Sequence, residues 1–178
     1  MAIVVVGGSG RNVGKTSLIC GLIAALPEFR WTAVKITSHA HGARDAVWEE
    51  TAAGQDTDTA RYLAAGARRA FLVTAGDEEL PIGEMQAAIG SDTNVIFESN
   101  RIAGALKPNL CIGVLGGSAM ESKPSFEPFY QNADAFVIPV DWDAGRLQLL
   151  SLAKLFRLPN FDRVSHEMLD WLRARLAQ

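Results

Sequence analysis

Long apolar runs are missing from this sequence of 178 residues. A helix needs roughly 20 apolar residues to cross a bilayer, and no stretch approaches that length. The short apolar run at residues 2–6 has no basic residue before it, so we interpret it as a strand rather than a signal peptide. The sequence therefore predicts no membrane partner, and we expect a cytoplasmic protein.

Basic charge and cysteine are also scarce. The 17 Lys and Arg residues are outnumbered by 20 Asp and Glu residues, the net charge is −3, and no basic run occurs. We expect no nucleic-acid partner, because affinity for a phosphate backbone depends on a cationic surface. The two cysteines, Cys20 and Cys111, lie in apolar runs and are interpreted as small core residues, since two cysteines do not form a disulfide scaffold.

Strand-like and helix-like segments alternate along the chain. Strands are predicted where buried-type residues run without a break, and helices where apolar residues recur every three to four positions. The predicted strands are 2–6, 31–36, 70–73, 94–97, 110–115 and 135–140. The predicted helices are 15–26, 56–65, 82–89, 147–156 and 164–176, and residues 37–55 are predicted to be a long functional loop.

This alternation predicts an α/β fold. Strands separated by helices favour a mostly parallel, doubly wound sheet with helices on both faces, which is a three-layer αβα sandwich. Because no repeat, low-complexity tract or linker is present, residues 1–178 are predicted to form one domain. Ligands of such sheets collect at the carboxyl ends of the strands.

A glycine-rich segment, GGSGRNVGKTS at residues 7–17, joins the first predicted strand to the first predicted helix. Glycines let backbone N–H groups approach phosphate oxygens, and the following helix adds the positive end of its dipole. A lysine here can reach the terminal phosphates, and the next hydroxyl can bind Mg²⁺. The structural alternative is an ordinary turn before a helix. We predict a phosphate-binding loop for GTP or ATP whose contacts are Gly10, Arg11, Asn12, Val13, Gly14, Lys15, Thr16 and Ser17.

The spacing of the glycines departs from the usual Walker A pattern, which places four residues between them. Counting back from Gly14, that position is Ser9, and Gly8 lies one step further out. The longer segment resembles the loop of dethiobiotin synthetases, G-T-D-T-E-V-G-K-T, with Asn12 where that family has glutamate. The residues that match are Gly8, Val13, Gly14, Lys15 and Thr16.

Three later segments resemble the molybdopterin-guanine dinucleotide biosynthesis protein B family. They are VKITSHAH at 34–41, DTARYLAAGARRAFLV at 58–73 and VIFESN at 95–100. The sequence departs from that family at Ser99-Asn100, where a glycine is usual, and in having H-A-H for H-H-D. The residues that match are Lys35, Asp58, Thr59, Arg61, Ala65, Gly66, Ala67 and Glu98. The resemblance implies the fold of a P-loop NTPase and a role in cofactor biosynthesis.

Three residues outside the loop are candidates for the chemistry. Lys35 interrupts an apolar strand, either as a lysine that snorkels from the strand end or as a cation that neutralises charge during phosphoryl transfer. Asp58 is either a helix N-terminal acid or a magnesium ligand. Glu98 follows a buried strand, where an acid of a P-loop protein serves Mg²⁺ or positions the attacking group. The predicted catalytic residues are Lys15, Lys35 and Glu98, and the predicted metal ligands are Thr16, Asp58 and Glu98.

Other polar residues leave alternatives open. His39 and His41, with Asp45, either bind a metal or are solvated loop residues that contact substrate. Asp141 or Asp143 either reads a base edge or caps a turn, and the guanine-specific N-K-x-D signature is absent, so GTP and ATP both remain open. His166 is interpreted as a surface residue beside a helix start.

Two functions follow from these residues. The first is an Mg²⁺-dependent nucleoside triphosphatase or phosphotransferase that acts on a small-molecule or pterin-type substrate in cofactor biosynthesis. The second is a nucleotide-binding adaptor with low intrinsic GTPase activity, which assists a partner enzyme in molybdenum cofactor maturation. A homodimer is compatible with either function.

Overall fold

A computed structural model of the chain describes residues 2–38, 45–76, 79–116, 124–142 and 153–177. Within these ranges the chain forms eight strands: β1 (Ala2–Gly8), β2 (Thr32–Thr37), β3 (Val47–Glu50), β4 (Arg69–Thr74), β5 (Asn94–Glu98), β6 (Leu110–Val114), β7 (Ala135–Pro139) and β8 (Lys154–Leu158). The α-helices of the same ranges are α1 (Lys15–Ala25), α2 (Asp58–Ala64), α3 (Ile82–Ile89), α4 (Glu127–Asn132) and α5 (His166–Leu176).

The strands form one sheet in the order β3-β4-β2-β5-β1-β6-β7-β8. Every pairing is parallel except that of β3, which runs antiparallel to β4 at one edge. The central strand β1 lies between β5 and β6, so its carboxyl end is surrounded by the ends of other parallel strands. The predicted α/β class with a mostly parallel sheet is confirmed.

Helices cover both faces of the sheet. Val4 and Val6 of β1 pack into a cluster that includes apolar residues of α1, α2 and α5. Val5, between them, packs into a second cluster with residues of α3 and with Phe126 on the other side. Successive side chains of a strand point to opposite faces, so the unbroken β-branched run of β1 follows from burial on both sides. This arrangement is compatible with a three-layer sandwich.

Two helices begin at side-chain caps that the sequence provides. The hydroxyl of Thr57 accepts a hydrogen bond from the backbone N–H of Ala60 at the start of α2. The hydroxyl of Ser165 accepts one from the N–H of Met168 at the start of α5. Both satisfy a backbone donor that the helix itself leaves unpaired. The predicted start of the second helix at residue 56 was therefore wrong, because the cap places it at Asp58.

The predicted loop at residues 37–55 contains a strand. Val47–Glu50 pairs antiparallel with β4, with Val47 opposite Val73 and Glu50 opposite Ala70. Four residues with two glutamates carry little local strand signal, and a short, charged strand is typical of a sheet edge. Only the pairing with β4 identifies this segment as a strand.

The predicted helix at residues 147–156 was also wrong where the structure describes it. Residues 154–158 form β8, which pairs in parallel with β7. Phe156 and Leu158 are buried while Leu155 and Arg157 are exposed, which is the alternation of a strand. The apolar spacing of this segment suits a helix or a strand, and pairing with β7 decides between them. Residues 147–152 lie outside the described ranges.

None of the helices in the described part of the chain is long and apolar enough to cross a bilayer. Both cysteines are free. Cys111 is buried as predicted, whereas Cys20 is only partly buried against the core. Burial raises the pKa of Cys111 to about 11, so this thiol stays protonated at neutral pH.

His166 is exposed at the first position of α5, which confirms its interpretation as a surface residue.

Candidate functional site

The glycine-rich loop lies between the carboxyl end of β1 and the first turn of α1. Gly14 precedes the helix with a φ of 99°, in the left-handed region that favours glycine. A Cβ at Gly14 would also lie 2.1 Å from a ring carbon of Phe161. Gly14 therefore fits this position for two independent reasons, the backbone conformation and the close approach of Phe161.

Gly8 is the glycine on which the unusual spacing depends. A Cβ at Gly8 would lie 2.8 Å from Cγ2 of Val13 and 2.9 Å from Cδ of Lys15, whereas one at Gly10 would have Val13 3.4 Å away. The side chain of Lys15 thus runs across Gly8, and its Nζ donates to the carbonyl of Gly10 over 2.8 Å. Gly8 thus lies under the side chain of Lys15, and Gly14 directly precedes Lys15 in the chain. These two glycines are one residue further apart than the glycines of the Walker A pattern.

A cleft of about 790 Å³ opens at this end of the sheet. Its volume lies in the range of small-molecule and cofactor sites. The loop, the ends of β2 and β5 and the start of α2 surround it. Its lining includes every predicted loop contact and every predicted catalytic and metal-binding residue, namely Gly10, Arg11, Asn12, Val13, Gly14, Lys15, Thr16, Ser17, Lys35, Asp58 and Glu98.

The sheet register explains why Lys35 and Glu98 meet. Lys35 of β2 is paired directly with Glu98, the last residue of β5, and Val6 of β1 is paired with Glu98 from the other side. The ammonium of Lys35 forms an ion pair and hydrogen bond with Oε1 of Glu98 and lies 2.9 Å from Oδ2 of Asp58. One lysine therefore joins two carboxylates that are 40 residues apart in sequence.

The charges in this cluster stabilise one another. Burial by itself would lower the pKa of Lys35, but the carboxylates of Glu98 and Asp58 outweigh it and the pKa is raised. Burial would raise the pKa of Asp58, but the ammonium of Lys35 and the hydroxyl of Thr16 hold it below its ordinary value. Lys35 and Asp58 are thus both charged at neutral pH.

Tyr62 is a member of the cluster that sequence reasoning missed. Its hydroxyl donates to Oε2 of Glu98, and its side chain is fully buried. Burial and then the nearby Glu98 carboxylate raise the pKa of Tyr62 well above its ordinary value, so the phenol keeps its proton. The sequence signal was available but weak: Tyr62 lies one helical turn after Asp58, on the same face.

Asn100, two residues after Glu98, is a second residue whose role was missed. Its side-chain oxygen accepts from the N–H of Gly8 over 2.8 Å, and its amide nitrogen donates to the carbonyl of Gly8 over 3.0 Å. The amide nitrogen also lies 3.3 Å from Oγ of Ser125. Asn100 thus fixes the backbone at the start of the glycine-rich loop.

Several other candidates lie away from the cleft or outside the described ranges. Asp45 and Asp141 are exposed and do not line the cleft in the described part of the structure. His39, His41 and Asp143 lie outside the described residues. Among the residues described, no three His, Cys, Asp or Glu side chains form a group that could hold a metal ion.

The side chains around Thr16 include oxygen donors of the kind that Mg²⁺ takes. Mg²⁺ prefers oxygen donors and commonly takes one or two carboxylates, a hydroxyl, waters and phosphate oxygens. The hydroxyl of Thr16 donates to Oε2 of Glu98 over 2.8 Å, and Asp58 is joined to Glu98 through Lys35. These three residues are the oxygen donors that this part of the cleft would offer to such an ion.

The charge of the cleft favours an anionic ligand. Five cationic side chains line it against three carboxylates, although the whole chain carries a net charge of −3. A concave surface with excess positive charge concentrates anions. The cationic residues are Arg11, Lys15, Lys35, Arg61 and Arg101, and the acidic ones are Asp56, Asp58 and Glu98.

Comparison with known proteins adds no family to this geometry. No protein-family model matches the chain, and no curated protein matches it either.

Proposed function

We propose that the chain is an Mg²⁺-dependent nucleoside triphosphate-binding protein of the P-loop type, which hydrolyses GTP or ATP or transfers its terminal phosphoryl group. One observation carries the proposal: the glycine-rich loop, the Lys15 ammonium and the Thr16–Glu98 pair all line the same cleft at the carboxyl edge of the sheet. A triphosphate needs these groups together, because backbone N–H groups and a lysine bind its charge while a hydroxyl and an acid hold its metal.

The separate residues have distinct roles in this proposal. The loop 10–17 and Lys15 bind the phosphates, since a helix start and an ammonium are both favourable to anions. Lys35 lies 20% exposed at the edge of the cleft, where its charge can offset that of a transferring phosphoryl group. Thr16, Asp58 and Glu98 hold Mg²⁺, which would neutralise phosphate charge when bound.

The short resemblances to cofactor-biosynthesis proteins support a small-molecule acceptor in that area of metabolism. The cleft extends past the loop to Thr37, Ser38 and Arg101, at the ends of β2 and β5. We infer that these polar groups contact a second substrate beside the triphosphate.

Isothermal titration calorimetry of the full chain with MgGTP and with MgATP tests the proposal. We expect a dissociation constant in the micromolar range for at least one of them, as is usual for enzymes of this class. Lack of affinity for both nucleotides at millimolar concentration would overturn the proposal.

Two lysine variants show whether nucleotide binding depends on the glycine-rich loop. Lys15→Ala removes the ammonium that donates to the carbonyl of Gly10. It is expected to weaken triphosphate binding by about 100-fold, since a charge-assisted contact to phosphate is lost. Lys154→Ala removes a surface lysine that pairs with Glu167 over 2.8 Å and should leave binding unchanged. Equal losses in the two variants would mean that the affinity is non-specific.

A further inference from the structure

The carboxylate of Glu98 accepts from three side chains, each from a different element. Lys35 of β2 bonds Oε1, while Thr16 of α1 and Tyr62 of α2 both donate to Oε2. Glu98 itself is only 3% exposed. An ionised carboxylate has about four acceptor positions, so three donors occupy most of them and set the plane of the group.

Tyr62 has no access to the cleft from which it could touch a ligand directly. Its side chain is fully buried, and it does not line the cleft in the described structure, whereas Thr16 and Glu98 do. Its hydroxyl and that of Thr16 donate to the same oxygen atom, Oε2 of Glu98. Any movement of this carboxylate would therefore move the hydroxyl proposed to bind magnesium.

We propose that Tyr62 is a positioning residue, which orients the Glu98 carboxylate and through it the Thr16 hydroxyl for the magnesium ion of the bound nucleotide. The inference rests on the proposed function and deepens it. It also assigns Glu98 the role of a fixed acceptor rather than a base that takes a proton, because three donors already hold its carboxylate.

The test measures how much magnesium contributes to nucleotide affinity. Calorimetry on the full chain gives the dissociation constant of GTP or ATP, whichever binds, with Mg²⁺ and again with EDTA, and the ratio of the two is the magnesium enhancement. We expect Tyr62→Phe to lower this enhancement by roughly five- to tenfold. This is less than the net value of one hydrogen bond to a charged group, because Tyr62 acts on the metal only through Glu98. The dissociation constant in EDTA should not change.

Thr32→Val is the matched control. The hydroxyl of Thr32 is also buried and donates to a buried carboxylate, Oδ2 of Asp92, over 2.7 Å. It lies at the start of β2, away from the cleft, so removing it costs the fold a similar hydrogen bond without touching the metal donors. Thr32→Val should keep the full magnesium enhancement, and an equal loss in both variants would overturn the inference.

A double-mutant cycle checks that Tyr62 acts through Glu98. If it does, Tyr62→Phe added to Glu98→Gln should lower the enhancement by less than twofold further, because the acceptor has already been altered. Full additivity of the two losses would overturn the inference.

A measurement without mutation of Tyr62 covers the case in which Tyr62→Phe does not fold. The chain has two tyrosines, so 3-fluorotyrosine labelling gives two ¹⁹F resonances, and Tyr130→Phe assigns them. The Tyr62 resonance should shift when Mg²⁺ is added to the nucleotide complex, and an unmoved resonance would overturn the inference. Failure of the wild-type protein to bind either nucleotide would instead overturn the proposed function.

Discussion

Two buried carboxylates lie at opposite ends of the same parallel strand, β5. Glu98 ends β5 at the carboxyl edge and is 3% exposed, while Asp92 precedes β5 at the amino edge and is 7% exposed. Each accepts from three side chains: Asp92 from Thr32 over 2.7 Å and from Arg68 and Arg69. The two groups are thus alike in burial and in the number of their donors.

Their surroundings differ. The donors of Asp92 include two arginines that extend towards solvent, and Arg69 continues to the carboxylate of Glu49. The donors of Glu98 include Thr16, which belongs to the glycine-rich loop and the cleft. A satisfied, buried ion cluster therefore does not by itself identify a functional site. Glu98 differs from Asp92 in that it lies beside the glycine-rich loop and lines the cleft.

The largest expected effect is on the rate of phosphate release. Glu98→Gln should lower the rate of phosphate release from MgGTP or MgATP by about 100-fold, because the charge that we propose to serve the metal is lost. Nucleotide binding in EDTA should stay within about twofold of wild type. Lys35 keeps its ion pair with Asp58, so the variant should fold.

Asp92→Asn is the matched variant at the amino edge, and its phosphate release should equal that of wild type. A comparable loss of rate in both variants would mean that the two edges do not differ in function. Full activity of Glu98→Gln would show that its assigned role is wrong.

The second effect concerns the stability of the cluster around Asp92. Asp92→Asn should lower the free energy of unfolding by about 1–3 kcal/mol, because Arg68 and Arg69 lose the carboxylate that they share. Urea denaturation followed by far-UV circular dichroism measures this change. An unchanged midpoint would mean that the cluster at the amino edge does not hold the strands β2 and β4 together.

A smaller effect is expected within the loop itself. Gly8→Ala should weaken triphosphate binding by roughly tenfold, because the added Cβ would displace the Lys15 side chain, whose Cδ lies 2.9 Å from the Cβ position. Gly10→Ala is the control, since its nearest contact is 3.4 Å away. Calorimetry compares the triphosphate affinity of the two variants. A larger loss of affinity for Gly10→Ala would contradict the inference that Gly8 makes room for the Lys15 side chain.

The smallest expected effect is a dependence of stability on pH. Burial would raise the pKa of Asp92, but its hydrogen bonds to Thr32 and Arg69 outweigh this and the pKa is lowered. A carboxyl whose pKa is lower in the folded state stabilises the fold above its unfolded value of about 3.9, and this contribution is lost as the pH falls through the folded pKa.

The difference in unfolding free energy between wild type and Asp92→Asn should therefore be constant from pH 5 to 7 and shrink as the pH falls below 4. Urea titrations at a series of pH values measure it. A difference that grows on acidification would contradict the lowered pKa.

Local pattern predicted much of this molecule. The alternation of strands and helices, the bounds of α3 at residues 82–89 and the start of α1 at Lys15 agree with the structure. These features depend on neighbouring residues, on the positions of glycine and proline and on the spacing of apolar residues, all of which can be read directly from the sequence. The residues that gather in the cleft were also predicted, because parallel strands end at a common edge.

The residues that were missed depend on contacts between distant segments. Asn100 bonds the backbone of Gly8 across 92 positions, and Tyr62 meets Glu98 across 36. No periodicity or spacing relates such pairs. The strand β8 was missed for the same reason, since its identity comes from pairing with β7.

The sequence by itself determined the α/β class and the glycine-rich loop, because chain sterics and the pattern of apolar residues act over a few positions. Only the tertiary structure decided the sheet order, the register that pairs Lys35 with Glu98 and the difference between Glu98 and Asp92. The physical reason is that the environment of a charge is set by whatever packs around it, and those groups come from every part of the chain.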